Sequence, residues 1–520
     1  LDGQVAAGDI IAYKAPIRSL KRNVEGGPRK YSTLFENITA SVGMRGDIND
    51  DWRYDVSYQT SQVDYNQEIQ NDLSVTKLLR ATDVINVAGV PTCVSKLNGT
   101  DADCIPYNLF SGGLAGDGGI QAIWDANPEI QTYMAIPNFI LGDSSETILQ
   151  AYVEGSTNIS IPGAPDTISA VFGYESRELE SDYRPDASSQ AADRTGAGGP
   201  IVALAGGYDV DEYFVELGIP VTDALNLEVG MRFAEYSTDQ DTDAFKLGAY
   251  YQVNDDLSIR GTLQSATRHG SITELYRGQG SSLTDLDPDP CGTNPESGAP
   301  PSATLEQCRR TGLADADYGS DLKSPADQYN ILTGGNPNLK PEESDSTTIG
   351  VVWTPSAIEG LTLSLDYFDI TVEDRISTIP AQTSIDKCLA TGNATFCNLI
   401  ERDPITGSLW VSPGQIITTN TNVAETNTSG FDIIFDYTLN TGLGPVDIKG
   451  ISTIVDTDTL IVLPGEPELE CAGKYGSSCG KNPTPEFSGN YSAELAKGDF
   501  NYILGLRYLG ETDTLNSDNI

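Results

Sequence analysis

Leu225-Asn226-Leu227-Glu228-Val229-Gly230-Met231-Arg232-Phe233 puts every apolar side chain at an odd number and every polar or absent one at an even number. Strict period-two alternation marks a strand with one greasy and one wet face, because successive side chains of an extended chain point to opposite sides. The split recurs far away. Phe500, Tyr502, Leu504, Leu506 and Tyr508 alternate with Asn501, Ile503, Gly505 and Arg507, and Trp52, Tyr54, Val56 and Tyr58 alternate with Arg53, Asp55, Ser57 and Gln59.

Carried along all 520 residues, this reading predicts fourteen strands, near 39–48, 52–63, 147–158, 166–180, 211–220, 225–237, 243–253, 257–268, 346–354, 361–374, 421–438, 446–462, 486–495 and 500–512. Connections 49–51, 159–165, 221–224, 254–256, 355–360, 439–445 and 496–499 are tight. The intervening ones, 64–146, 181–210, 269–345, 375–420 and 463–485, are long, and only 238–242 is short. Successive connections of an up-and-down meander emerge on opposite sides, so one side is trimmed and the other carries loops, as in transmembrane β-barrels. A soluble sandwich would bury its apolar face, and such long structureless loops count against a compact domain. The predicted class is all-β, a transmembrane antiparallel β-barrel with lipid outside and water inside. Trp52, Tyr54, Phe500 and Tyr502 adjoin short turns, where an interfacial aromatic girdle belongs. In 361–374, Leu361, Leu363 and Leu365 share a face and the phase then slips around Phe368 and Ile370, which predicts a bulge.

Composition agrees. No stretch approaches 18 consecutive apolar residues, so no membrane helix is predicted, and a mean hydropathy of -0.26 suits a barrel with wet lumen and loops. With 31 basic and 75 acidic residues the net charge is -44. Nucleic acid is not an expected partner, since phosphate contacts need clustered Lys and Arg. An acidic surface solubilises, and acidic loops also draw in cationic or metal-bearing solutes.

The eight cysteines fall as close pairs inside long connections: Cys93 with Cys104, Cys291 with Cys308, Cys388 with Cys397, and Cys471 with Cys479. Eight cysteines allow 105 connectivities, and proximity favours pairing within each loop. Loops lacking a core of their own would gain from such staples, which form during export through an oxidising compartment. With no Cys-x-x-Cys and a single His, zinc sites are disfavoured.

Gly335-Asn336-Pro337-Asn338-Leu339-Lys340-Pro341-Glu342-Glu343-Ser344, followed by the strand from Thr347 to Trp353, resembles a signature of the TonB-dependent outer-membrane receptors. Ala266-Thr267-Arg268 leading to Glu274-Leu275-Tyr276 is similar to that family's preceding segment, with His269-Gly270 where a Pro is usual. Cys104-Ile105-Pro106-Tyr107-Asn108-Leu109-Phe110 is similar to a cysteine-bearing loop of large proteobacterial receptors. The resemblance implies a 22-stranded barrel, plugged by a separate N-terminal domain, that imports scarce nutrients with energy from the inner-membrane TonB complex. Residues 1–520 are then expected to be barrel only, incomplete at both ends, with the plug elsewhere and residues 1–38 holding the end of a preceding strand and loop. Expected partners are the TonB complex, outer-membrane lipid, and a small-molecule or oligosaccharide ligand.

Candidate ligand contacts are Trp410, a large aromatic in a long loop, Arg268 and Glu274 at the mouth of a strand, and Trp124, in a stretch that reads as a short surface helix with Ile120, Ile123 and Ile130. Packing is the competing role for both tryptophans. His269, as a lone histidine, reads first as structural and otherwise as a site for heme or metal capture. Asp239/Asp241/Asp243 and Asp285/Asp287/Asp289 have calcium-like spacing without the Gly and distant Glu of an EF-hand loop. No cofactor is expected beyond calcium in those loops. Asn49-Asp50-Asp51 and Asn254-Asp255-Asp256 read as turns. No catalytic constellation appears: there is no Gly-x-Ser-x-Gly elbow and no second His, and 75 acids make chance carboxylate pairs uninformative. The expectation is a transporter of an oligosaccharide or other organic solute. A ferric-siderophore receptor is the alternative within the family, and a passive porin or adhesin barrel the alternative of another class.

Overall fold

The computed structural model describes residues 28–107, 128–195, 199–295, 297–463, 467–476, 479 and 483–514. All fourteen predicted strands are present and pair in chain order: β1 (Lys30–Asp47), β2 (Trp52–Leu73), β3 (Ala135–Ser156), β4 (Ser169–Pro185), β5 (Leu204–Pro220), β6 (Leu225–Tyr236), β7 (Gln240–Asn254), β8 (Leu257–Arg268), β9 (Glu342–Trp353), β10 (Leu361–Ser377), β11 (Thr421–Thr441), β12 (Gly444–Ile461), β13 (Phe487–Lys497) and β14 (Phe500–Leu509). The short turns are built as read. Asn49 Oδ1 accepts from the N–H groups of Asp51 (2.9 Å) and Trp52 (3.0 Å), and Asn254 Oδ1 from Asp256 (2.9 Å).

Several strands run further than their alternation, all at the long-loop end. β3 begins at Ala135, β5 at Leu204 and β1 at Lys30, so Lys30–Ile38 belong to the first strand, while residues 1–27, the rest of the stretch expected to hold a preceding strand and loop, lie outside the described residues. Above the lipid both faces meet water, so no greasy stripe betrays the strand, yet the ladder continues, as in Leu204↔Tyr183.

Register explains the outer face. Leu225, Tyr251, Ile259, Val351, Leu365 and Ile433 form one cross-strand row over β6–β11. On the same face Met231, Phe233, Phe245, Leu247, Leu263 and Ile349 are exposed, a contiguous apolar surface that water would not tolerate and lipid does. From Leu225 to Phe233 the apolar run is roughly 26 Å along the strand at about 3.3 Å per residue, and its length in residues is that of a tilted membrane-crossing strand, about 9–11. One row above Phe233 the face becomes Asp211, Glu235 and Asp241. On β9–β11 it becomes Asp345, Thr371 and Asn427. Asp345 is in register with Met231 and Phe245, Asp243 lies opposite Phe233 itself, and Asp369 lies one row lower on β10; carboxylates stay hydrated, so the apolar band ends at a level that steps down along the rows from β6 to β10.

The bulge expected at Phe368 and Ile370 is not there: β10 pairs without a shift on both sides through these residues. The phase slip is two apolar side chains on the wet face, Phe368 lying opposite Gly430. The irregularity comes later, between Val372 and Ile376, next to Asp374 at φ 49°.

The chain divides into two units. In the one containing residues 66–140 and 185–198, the helix Val75–Thr82 is capped by Ser74, whose hydroxyl accepts from Lys77 N (3.1 Å), and by Asp193, which accepts from Thr76 N (2.6 Å). Burial disfavours the Asp193 carboxylate, but the Ser74 hydroxyl and Thr76 N–H outweigh that and hold its pKa below the ordinary range. Leu73, Ala81, Ile130, Tyr133 and Met134 pack around the Cys93–Cys104 disulfide, and buried Asp72 pairs with Arg194 (2.9 Å) and Arg29 (2.5 Å). Ile130 packs in this core from the helix Pro128–Met134, while Trp124, Ile120 and Ile123 lie outside the described residues.

The other unit holds most of the wall and a second loop core. Leu322, Tyr329, Ile385, Phe396, Leu409 and Ile416 are buried around the disulfides Cys291–Cys308 and Cys388–Cys397. Four short strands, Gly280–Asp285, Gln328–Thr333, Gln415–Ile417 and Ile400–Glu401, hydrogen-bond the connection after β8 to the one after β10. These loops do have cores of their own, contrary to expectation, because two connections supply one core jointly and neither segment alone displays it.

Candidate functional site

The wet face of the wall carries paired charge. Arg53 meets Glu154, Arg177 meets Glu175 (2.5 Å), Arg232 meets Glu212 (2.5 Å) and Glu175 (3.5 Å), Lys246 meets Glu228 (2.7 Å), and Lys449 meets Asp436 (3.0 Å). Residues on one face lie within reach two positions along a strand and, on neighbouring strands, directly and diagonally, which is why the wet-face polar sets find one another. Arg260 reaches further. Its guanidinium forks onto Asp366 (2.8 and 2.7 Å) two strands away, over Gly350 of β9, where any Cβ would strike the Asp366 carboxylate. Between β3 and β8 this face holds a groove of about 730 Å³ lined by Gln150, Tyr152, Phe214, Glu216, Gly230 and Lys246 among others.

At the long-loop end of β8 the sequence motifs meet. Arg268 donates to both oxygens of Glu342 (2.6 and 2.8 Å) and both of Glu274 (2.9 and 3.2 Å). Glu342 also accepts from Ile376 N (2.7 Å). Glu274 sits in the helix Ile272–Tyr276 and completes a capping box with Ser271. Burial works against its carboxylate, but Arg268 and the Ser271 N–H prevail and hold its pKa below the ordinary range. Asn336 donates from its backbone to Glu274 O (2.9 Å) and from its side chain to Asn420 O (3.1 Å). Lys340 exchanges two hydrogen bonds with the Asn422 amide (2.8 and 2.9 Å), and Leu339 is buried against Leu275 and Ile376. Pro337 and Pro341 have no N–H to satisfy, and Pro341 directly precedes β9, where a missing donor costs least.

The motif is therefore a clasp binding β8, β9, β10 and β11 at the base of the loops. Arg268 and Glu274, predicted as ligand contacts, are brought together with their charges committed to each other and to Glu342. Asn420 and Asn422 were missed; their only signal is a Thr-Asn-Thr-Asn repeat with no visible partner. His269 packs beside the clasp, stacked on Tyr236 with ring centroids 4.2 Å apart. Its Nδ1 donates to Gly270 O (2.9 Å), which leaves Nε2 to accept from the Thr238 hydroxyl (2.8 Å). Burial lowers its pKa and favours this neutral, structural form.

Trp410 is partly buried against the shared loop core. In the same loop body the Asp289–Arg402 pair is almost fully buried (2.6 Å), and Arg402 also donates to Thr311 Oγ1 and Gly407 O (both 2.8 Å). Asp289 is thus occupied by arginine, and among the described residues no three His, Cys, Asp or Glu side chains converge as metal ligands around either aspartate triplet or elsewhere. The fourth disulfide, Cys471–Cys479, closes the connection after β12.

Residues 11–520 match a family model described as TonB dependent receptor-like, beta-barrel. No curated protein matches the chain. Similar solved structures include the siderophore receptor PirA from Pseudomonas aeruginosa (10% identity, 91% of this chain and 63% of that one, TM-score 0.41). Others are the RagAB peptide transporter (10%, 92% and 48%, TM-score 0.49) and the ferric-catecholate import receptor Fiu from E. coli K12 (13%, 92% and 54%, TM-score 0.46). The chain spans between 48% and 63% of the length of these three.

Proposed function

This chain belongs to the TonB-dependent receptor β-barrel family, and from that membership we propose that it forms the wall of an outer-membrane receptor importing a scarce nutrient with energy from the TonB complex. The observation that carries the reading is the two-faced wall: an apolar outer band as long in residues as a tilted membrane-crossing strand, on the same strands as a charge-paired wet face. Transport, not catalysis, is the activity of such a wall. Among the described residues β1 and β14 each have one neighbour in the sheet, and since an unpaired edge is not stable in lipid, further strands close the barrel in this reading. A plug would fill it, and the TonB complex would act through that plug.

The solute favoured is an oligosaccharide or other organic nutrient. Support comes from Arg53, Arg177, Arg232, Lys246 and Lys449, which wall carboxylates already neutralise and which offer little to an anionic ferric chelate. The test is uptake of the solute by cells carrying the full-length receptor, with and without TonB and with the proton-motive force collapsed. Uptake should cease in both deficient conditions. Uptake that persists without TonB would instead identify a passive pore.

A further inference from the structure

On the outer face, strand after strand turns from apolar to acidic at a similar distance from its short turn. The first outward carboxylate is Glu178 on β4, Asp211 on β5, Glu235 on β6, Asp243 on β7 and Asp345 on β9, and each stands eight to eleven residues from its strand's short-turn end. About 9–11 residues of tilted strand cross a bilayer. These carboxylates therefore share one depth, directly above the lipid-facing band and continuous with it, where the headgroups of the surrounding leaflet lie.

Charge at that depth is one-sided. The basic residues of β5–β9, Arg232, Lys246, Arg260 and Arg268, all lie on the wet face, and on β4 the outward Arg184 is taken by Asp143 (2.7 Å) and Asp182 (3.4 Å). Glu235, Asp241, Asp243 and Asp345 are exposed, and no described residue pairs with their carboxylates. Asp211, Glu235 and Asp241 stand directly opposite one another on three adjacent strands, an arrangement that like charges make unfavourable. The counter-charge has to come from outside the wall. Bare lipid phosphates at this depth would repel the collar, and a divalent cation reverses that sign, because it takes about six to eight oxygen ligands and a carboxylate and a phosphate can each supply some of them. Among the described residues no three carboxylates converge, so the collar does not close such a shell by itself and the headgroups complete it. We propose that the outer face of β4–β9, at the level where the apolar band ends, docks a layer of phosphate-bearing lipid headgroups through shared divalent cations. The proposal takes its membrane placement from the transport reading above and adds the chemistry of the leaflet at the long-loop end.

The experiment reconstitutes the full-length receptor in nanodiscs of phosphatidylcholine alone, with lipid A, or with dephosphorylated lipid A. Each is held in calcium chloride or in EDTA, and heat-modifiable gel migration after timed incubation gives the rate of unfolding. Calcium should slow unfolding at least fivefold in the lipid A discs and less than twofold in the other two. The variant carrying Glu235→Gln, Asp241→Asn, Asp243→Asn and Asp345→Asn should lose that difference, and Glu235→Gln with Asp345→Asn should lose part of it. A control carrying Asp50→Asn, Asp255→Asn, Glu359→Gln and Asp499→Asn removes as many exposed charges at the short turns and should keep it. Cation that merely stiffens lipid A would act on every variant alike, so a collar variant that responds like the parent overturns the proposal. An equal effect without lipid phosphate overturns it too, since the carboxylates would then hold the cation unaided. So does a control that loses the effect as fully as the collar variant, because net charge would then be the cause. TonB-dependent uptake by a receptor with no such cation effect would sink the collar and spare the transport reading; a collar that passes on a receptor whose uptake ignores TonB would do the reverse.

Discussion

Gly350 matters for what it lacks. Arg260 and Asp366 meet across it, so Gly350→Ala should force them apart. With the arginine half exposed, the pair itself contributes about 0–1 kcal/mol, and the added strain of displaced side chains brings the expected loss to about 1–2 kcal/mol. A lower midpoint of thermal unfolding checks it, and Asp366→Ala should cost less than Gly350→Ala because it loses only the ion pair and creates no collision. At the clasp, Arg268→Lys keeps the charge but cannot fork onto two carboxylates. Amide exchange at Gly335–Lys340 should speed up several-fold in that variant while exchange in β6 and β7 stays unchanged. Equal rates in both places would show that the motif does not depend on Arg268. The pH response has a defined sign. Glu274 and Asp193 both have folded pKa values below their unfolded ones, so their contribution is fully present above the unfolded values, about 4. It is lost as pH falls through the depressed folded values. Protection of the Ser271 and Thr76 amides, read by hydrogen exchange, should therefore hold down to about pH 4 and fail below it.

At the scale of elements, the strands were legible and the loops were not. β6 announces itself because its outer face meets lipid and its inner face water, two environments that sort side chains at period two. The upper half of β5, from Leu204 to Val210, meets water on both faces and leaves no such trace, though its ladder is intact. The loops fail for another reason. Cys291, Leu322, Ile385 and Leu409 share one core but come from two connections separated by two strands, so no local window contains the pattern. The staples should hold this body together. Each of the Cys291–Cys308 and Cys388–Cys397 links closes a loop of 17 and 9 residues in sequence separation, worth about 3 kcal/mol in the chain-entropy model. Mild reduction of the intact receptor should open the loops to limited proteolysis and to maleimide while the wall still migrates as a folded barrel; loops that stay protected would show that their core suffices alone.

For the molecule as a whole, the number of strands, their order, the two-faced wall and the four disulfides were determined by the sequence itself. Each of these depends on short-range facts: the period of an extended chain, the contrast between lipid and water, and the closeness of two cysteines within one loop. Tertiary structure alone decided the rest. Arg268 could have faced a ligand, and only the register of β8 against β9 places it on Glu342. Trp410 could have been a bare stacking surface, and only the joining of two connections packs it against a core. Glu216, Gly230 and Lys246 line one groove only because the pairing of three strands sets them side by side. Local sequence sets which way a side chain points, because that follows from covalent geometry. What it points at follows from the pairing of distant strands, and that is decided by the energy of the assembled wall.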